Sequence, residues 1–174
     1  MIWNRRRVLG AALFIPLEGL AQTCGVVTPR QTEGPFYTPS TPLRASLLEG
    51  GEKTRFVLAG RVLSPDCKPI PNALVDLWHA DEEGAYDNRG FRYRGHQFTD
   101  SEGRYRFETI VPAHYPGRTR HYHVKVQPRG GRLLTTQLYF PDDPANARDG
   151  LYRRELEVRM AKRGEGMFDF VAAA

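Results

Sequence analysis

The stretch His96-Gln97-Phe98-Thr99-Asp100-Ser101-Glu102-Gly103-Arg104-Tyr105-Arg106-Phe107-Glu108-Thr109 decides how the fold is read. Asp100-Ser101-Glu102-Gly103 is turn chemistry, and the runs on either side, residues 96–99 and 104–109, read as strands, so the segment predicts a β-hairpin. A turn of the same kind, Asp81-Glu82-Glu83-Gly84, stands upstream, and each is followed by a segment containing tyrosine. Residues 55–63 alternate as a strand does and end at the turn Ser64-Pro65-Asp66-Cys67-Lys68-Pro69. Residues 73–78, 121–127 and 133–140 are further strands, and 167–171 form a candidate closing strand.

Short strands separated by Gly, Pro and Asp turns indicate an all-β fold, a β-sandwich with long loops. Residues 151–162 are the best helical candidate, with Leu151, Leu156 and Val158 forming a rough apolar stripe. From 22 to 53 periodicity is weak, and Pro29, Pro35, Pro39 and Pro42 break any regular element, so an extended N-terminal arm is expected to lie on the domain. The division is therefore a leader at 1–21, the arm at 22–53 and one sandwich domain at 54–174, a size that suits a single core within 174 residues.

An apolar fraction of 40%, with 17 Gly and 13 Pro, fits a loop-rich globular chain rather than a disordered one. The formal charge of +5 is partly carried by the first seven residues, and between Thr54 and Tyr139 the charges of both signs are interspersed. With no Lys/Arg run and no nucleic-acid-binding motif, a nucleic-acid partner is not expected.

Arg5-Arg6-Arg7 precede the apolar run 8–16, and Gly19-Leu20-Ala21 offers small residues for cleavage, the pattern of an export leader. Asn4-Arg5-Arg6-Arg7-Val8-Leu9 also resembles a twin-arginine signal, with an ordinary secretory n-region as the alternative. The apolar run is too short to span a bilayer, so an exported protein without a stable membrane anchor is expected. In an oxidising compartment Cys24 and Cys67 are expected to pair and tie the arm to the 65–71 loop, two free thiols being the alternative.

Chemistry is concentrated in Arg120-His121-Tyr122-His123-Val124-Lys125-Val126. In a strand, His121 and His123 project to one face and can share one metal. Zinc ligand sets are poorly represented, whereas Tyr86, after a turn, and Tyr115, in His114-Tyr115-Pro116-Gly117, lie in loops from which an oxygen could reach such a metal. Phenolate is a hard anionic donor suited to a highly charged ion such as Fe(III). Each tyrosine taken alone is more often a packing residue.

The order of blocks from Gly60-Arg61-Val62 through Ala73-Leu74-Val75-Asp76-Leu77-Trp78, Gly84-Ala85-Tyr86-Asp87, the 99–107 turn, Thr109-Ile110-Val111-Pro112, Tyr115-Pro116 and His121-Tyr122-His123 to Thr136-Gln137-Leu138-Tyr139-Phe140 resembles the intradiol ring-cleavage dioxygenases, especially the protocatechuate 3,4-dioxygenase type. Gln31-Thr32-Glu33-Gly34-Pro35-Phe36-Tyr37 resembles the family's N-terminal pocket segment. The resemblance implies Fe(III) held by Tyr86, Tyr115, His121 and His123, with Tyr115 released to take a substrate proton. It also implies a catalytic arginine at Arg118 and a substrate pocket involving Pro35, Phe36 and Gln137. Trp78 or Phe91 would complete the walls, while His79, His96 and His114 are left as surface or loop histidines. A shorter loop before His121, with Thr119-Arg120 where relatives have Pro-Ala, leaves Arg120 as the competitor for the arginine role.

The expected activity is oxidoreductive cleavage of a catechol-type ring by O2 to a muconate-type diacid. The resemblance includes no counterpart of the helical dimerisation domain of catechol and hydroxyquinol enzymes, so their type of dimer is not expected, although a homo-oligomer is allowed. Two other readings use the same residues. A transthyretin-like or carboxypeptidase-regulatory-like sandwich would need the strands and turns but not the four donors. A zinc or copper protein built on the two histidines would need a further carboxylate or thiolate.

Overall fold

A computed structural model describes residues 25–173; the expected leader and Cys24 lie outside the described residues. Nine strands form two sheets: β1 (Phe56–Leu63), β2 (Leu74–Trp78), β3 (Arg94–Phe98), β4 (Arg104–Thr109), β5 (His121–Gln127), β6 (Leu134–Tyr139), β7 (Arg159–Lys162), β8 (Glu165–Met167) and β9 (Phe170–Val171). One sheet has the order β4-β1-β8-β7, with β9 also on β1, and the other runs β3-β2-β5-β6. The all-β sandwich read from the sequence is the fold observed.

Side-chain alternation explains the layering. Leu58 and Val62 of β1, Tyr105 and Phe107 of β4, Val75 and Leu77 of β2, and Tyr122, Val124 and Val126 of β5 all point into one buried core. On β5 the intervening residues His121, His123 and Lys125 are buried as well, so this strand is covered on both faces. The second cover is the arm.

Its path follows from hydrogen bonds. Pro29 O accepts from Thr136 Oγ1 at 2.7 Å and Gln31 N donates to Thr135 O at 2.9 Å, both on β6. Glu33 pairs with Lys125 of β5 at 2.5 Å, Tyr37 and Thr41 donate to Asp76 of β2 at 3.1 and 2.9 Å, and Arg44 N donates to His96 O of β3 at 3.0 Å. The arm thus crosses the strands in the order β6, β5, β2, β3, and then turns the sheet edge to bond Glu108 of β4 through Leu47 N at 2.8 Å. Polar residues on this outer face are buried because the arm brings them partners, which removes the desolvation cost of an unmet polar group.

Three local expectations are corrected. The segment 96–109 is not a ladder-paired hairpin: β3 pairs with β2 and β4 with β1, so the turn carries the chain from one sheet to the other. The turn itself forms, with Asp100 Oδ1 accepting from Glu102 N and Arg104 N and Gly103 at φ +70°. Asp81 does the same for Glu83 N and Ala85 N, with Gly84 at φ +83°. Such a turn dictates chain reversal but not which strand the reversed chain pairs with. Thr99 bonds Ala73, Asn72 and Ile70 rather than the incoming strand, and that separates the two.

Residues 151–162 are not helical but contain a 3-10 turn, Arg154–Leu156, followed by β7. Leu156 and Val158 are buried two apart, the spacing of an extended chain, while Leu151 is exposed. The closing strand at 167–171 is divided into β8 and β9, both parallel to β1. Between them the Asp169 carboxylate accepts from Arg61 N at 2.8 Å, replacing a ladder bond. Cys67 is disulfide-bonded.

Candidate metal centre on the covered face of the second sheet

Cross-strand register lays out the site before any side chain is considered. Arg94, Trp78, His123 and Gln137 are successive neighbours across β3, β2, β5 and β6, and His121 pairs with Tyr139 one step along. All six face the arm, and all are buried.

His121 Nε2 lies 3.1 Å from His123 Nε2, and Tyr86 Oη lies 3.4 Å from His121 Nε2. The Tyr115 ring stands edge-on to Tyr86 with centroids 6.0 Å apart, and Phe36 of the arm contacts both, stacked on Tyr86 at 4.5 Å and edge-on to Tyr115 at 5.3 Å. The four residues named from the sequence are therefore brought together, three through their polar atoms and Tyr115 through its ring.

Two loops deliver the tyrosines. The turn at Asp81 starts the Tyr86 loop, and Asp87 closes it by accepting from Arg89 N, Gly90 N and Arg92 N. Gly84 packs on the neighbouring loop so tightly that a Cβ there would sit 2.3 Å from His114 O, which joins the Tyr86 and Tyr115 loops. Arg94 is fully buried and donates to Asp87 O at 3.0 and 2.7 Å and to Phe36 O at 2.6 Å. It ties the Tyr86 loop to the arm, a role the sequence did not reveal.

Whether these residues suit a cation follows from their protonation. His121 Nδ1 donates to Thr119 O at 2.6 Å, which leaves Nε2 as a lone-pair donor. Burial pushes the His121 imidazole down to about 4 and the His123 imidazole well below its ordinary value, so both rings are neutral. Burial pushes the Tyr86 phenol up, so it ionises only against a positive charge. Two neutral imidazole nitrogens and a phenol oxygen meeting in a buried space fit a metal ion. Among the described residues no group of three or more His, Cys, Asp or Glu comes together.

Arg118 and Arg120 differ in placement. Arg118 Nε donates to Asp149 at 2.8 Å, and its terminal nitrogen donates to Gln137 Oε1 at 2.6 Å. Burial acts to raise the Asp149 carboxyl, but bonds from Leu151 N, Thr119 N and Arg118 outweigh it and hold the group below its usual value. Arg120 points away from the centre to Asp143, at 3.5 Å, and is more exposed. Gln137 is fully buried, with its amide engaged by Arg118, by Tyr139 Oη at 3.1 Å and by Thr32 O at 2.9 Å. It orients Arg118 and the arm.

A cavity of about 590 Å³ opens beside the centre, lined by Tyr115, Arg118, Gly117, Ala145 and Arg148 among others. Of the pocket walls expected from the arm, Phe36 covers the two tyrosines, whereas Pro35 beside it is exposed. Phe91 is 38% exposed, and Trp78 is buried against His123. Gly34 lies against the same histidine: its φ is +72°, and a Cβ there would be 3.3 Å from His123 Cε1. Gly34→Ala should cost roughly 1 kcal/mol from the backbone alone and loosen the arm over His123, read as a lower melting temperature with weaker metal retention.

His79 is a correction. It lies just past the end of β2, outside the strands, but is buried rather than at the surface, with Nδ1 donating to Ala80 O at 2.7 Å and Nε2 accepting from Thr109 Oγ1 at 2.7 Å. Burial pushes its pKa from 6.5 down to about 4. Between those values the unfolded chain binds a proton that the folded chain refuses, so stability falls as pH drops through that window and levels off below it. The slope this one group adds is at most about 1.4 kcal/mol per pH unit. Urea melts of the wild type and His79→Gln between pH 4 and 7 should differ by that slope; parallel curves would contradict it. His96 is half-buried with Nδ1 3.1 Å from Thr41 Oγ1, and His114 is exposed and pairs with Asp143 at 2.8 Å.

Residues 32–159 match a family model described as dioxygenase. The chain is 37% identical over 172 residues to catechol 1,2-dioxygenase 2 of Acinetobacter lwoffii, covering 78% of this chain and 62% of that protein. It is 38% identical over 117 residues to the β chain of protocatechuate 3,4-dioxygenase from Burkholderia cepacia, covering 57% and 50%. The chain thus spans between half and less than two thirds of these relatives' own length. Among solved structures, it is similar to the dioxygenase domain of a dioxygenase carbohydrate-binding protein fusion from Streptomyces sp. SirexAA-E, with TM-score 0.81 and 48% identity over 86% of this chain and 99% of that one. It is also similar to catechol 1,2-dioxygenase from Pseudomonas arvilla C-1, with TM-score 0.72 and 31% identity over 84% and 62%.

Proposed function

Because the chain belongs to the intradiol ring-cleavage dioxygenase family, we propose that it cleaves a catechol-type ring between its two hydroxyl-bearing carbons, taking both atoms of O2 into a muconate-type diacid. The observation that carries this reading is the meeting of Tyr86 Oη with the Nε2 atoms of His121 and His123, with Tyr115 alongside. Tyr86, Tyr115, His121 and His123 would hold ferric iron. When bound, it would supply a Lewis acid and template that draw electron density from the catechol.

The chain's own groups divide the remaining work. Tyr115 lines the cavity, and its phenol would take a proton from an entering hydroxyl. Arg118 lines the same cavity with its guanidinium fixed at two points, so its charge is already oriented when negative charge develops on the ring. Phe36 covers the tyrosines and limits water. Export goes with this reading as a proposal, supported by Arg5-Arg6-Arg7 before an apolar run and by the disulfide at Cys67, a bond of oxidising compartments.

The test is reconstitution with ferric iron followed by oxygen uptake on catechol, protocatechuate and chlorinated catechols. The expected result is a red protein with an intense phenolate-to-iron band, consuming O2 with at least one of them. A colourless protein that retains no iron would return the chain to a non-catalytic sandwich module.

A further inference from the structure

We infer that Trp78 is a positioning residue for His123: its indole face, packed in turn by Tyr37 of the arm, fixes an imidazole whose Nδ1 no hydrogen bond holds. The inference rests on the reading of the four donors as a metal centre and concerns how one of them is aimed.

A histidine that binds a metal through one nitrogen is usually oriented by a hydrogen bond from the other, which fixes both tautomer and ring rotation. His121 follows that rule through Thr119 O. His123 does not, because its Nδ1 is buried with no hydrogen-bond partner among the described residues. Its ring lies instead nearly parallel to the Trp78 indole, with centroids 4.9 Å apart and planes 9° apart. Trp78 and His123 are direct cross-strand neighbours on the same face, so the stack is built into the β2-β5 register. Gly34 occupies the Cε1 edge of the same ring. Rotation of the imidazole is therefore opposed by packing on its face and on one edge.

The indole needs its own support, since its Nε1 also lacks a partner among the described residues. That support is Tyr37, whose ring centroid lies 4.8 Å from that of Trp78. Tyr37 is held by three groups from the next row of the sheet and the arm. Its hydroxyl donates to Asp76 at 3.1 Å, the Lys125 ammonium lies 3.3 Å from its ring centroid, and Lys125 is fixed by Glu33. Force on the His123 ring is thus carried back to the arm through aromatic faces. Neither Trp78 nor Tyr37 lines the cavity that Tyr115 and Arg118 line.

The experiment measures release of ferric iron to a chelator, followed by decay of the visible band, in wild type, Trp78→Leu, Trp78→Phe, Tyr37→Leu and Tyr37→Phe. Circular dichroism and melting of the iron-free forms establish folding. Loss of a group that orients a ligand typically weakens metal binding about 10- to 100-fold, so Trp78→Leu should release iron at least about tenfold faster. Trp78→Phe, which keeps an aromatic face, should restore slow release. Tyr37→Leu should accelerate release and Tyr37→Phe should not, since the ring remains while the hydroxyl bond to Asp76 is lost. A folded Trp78→Leu with wild-type release overturns the inference. So does a Tyr37→Phe protein that releases iron as fast as Tyr37→Leu, because the hydrogen bond rather than the ring would then be acting. If Trp78→Leu fails to fold, the half-buried Tyr37 pair decides the matter. A wild type that never retains iron is a different result, removing the metal centre itself.

Discussion

Tyr86→Phe is expected to yield a folded protein that retains no ferric iron, shows no visible band and consumes no O2 with any catechol. The substitution removes one oxygen and leaves the ring, so the 4.5 Å stack on Phe36 and the Asp81 and Asp87 turns that shape the loop persist. What disappears is one of the four donors proposed for the iron. The loss in affinity should exceed the roughly 100-fold upper range for residues that merely orient a ligand. A pH signature accompanies it. Burial raises the Tyr86 phenol above its ordinary value, so the metal-free site is protonated there and binding must expel that proton. Affinity for iron should consequently rise with pH in the wild type, and part of that slope should vanish in Tyr86→Phe. Iron retained at full stoichiometry in the variant would remove Tyr86 from the ligand set.

The second large effect separates two arginines. Arg118→Ala should keep iron and colour while kcat falls about 100- to 1000-fold, the usual consequence of removing a fixed group that stabilises developing negative charge. Some stability is lost too, because Asp149 is left almost fully buried without its cation, although Thr119 N and Leu151 N still bond it. Steady-state rates must therefore be taken well below the variant's melting point. Arg118→Lys is not a rescue, since an ammonium cannot bond Asp149 and Gln137 in the fork geometry that both now use. Arg120→Ala is the control: its partner Asp143 is 3.5 Å away at a partly exposed site, a pair worth at most about 1 kcal/mol, and turnover should be unchanged. The opposite ranking would move the catalytic role to Arg120.

Much of this was legible in the sequence because strands that are wet on one side write their fold in alternation. Residues 121–127 are the clearest case. Tyr122, Val124 and Val126 mark the core, while His121, His123 and Lys125 mark a face that looks solvated in sequence but is buried under the arm. The four residues that the fold gathers, Tyr86, Tyr115, His121 and His123, were readable through their residue types and the blocks around them. What could not be read depends on contacts between distant segments. Nothing near Arg94 announces that its guanidinium will hold Asp87 O and Phe36 O. His79 sits at a strand end, and residues distant in sequence bury it, Thr109 on the partner sheet and the rings of Tyr93 and Tyr122. The turn at Asp100 is correctly written, but the sheet that each flanking strand joins is decided by β1 and β2. At 151–162 charged residues with good helix propensity masked an apolar pair spaced for an extended chain.

The arm also sets an order of events. Thr136 bonds Pro29 across 107 positions and Gln137 bonds Thr32 across 105, so the part of the polypeptide that leaves the ribosome early closes over strands that leave it late. Closure must wait until β6 has been synthesised. Until then the Pro29-to-Thr32 end of the arm has no strand to bond, and only the contacts of Glu33, Tyr37, Thr41 and Arg44 with β5, β2 and β3 can hold the arm over His121 and His123.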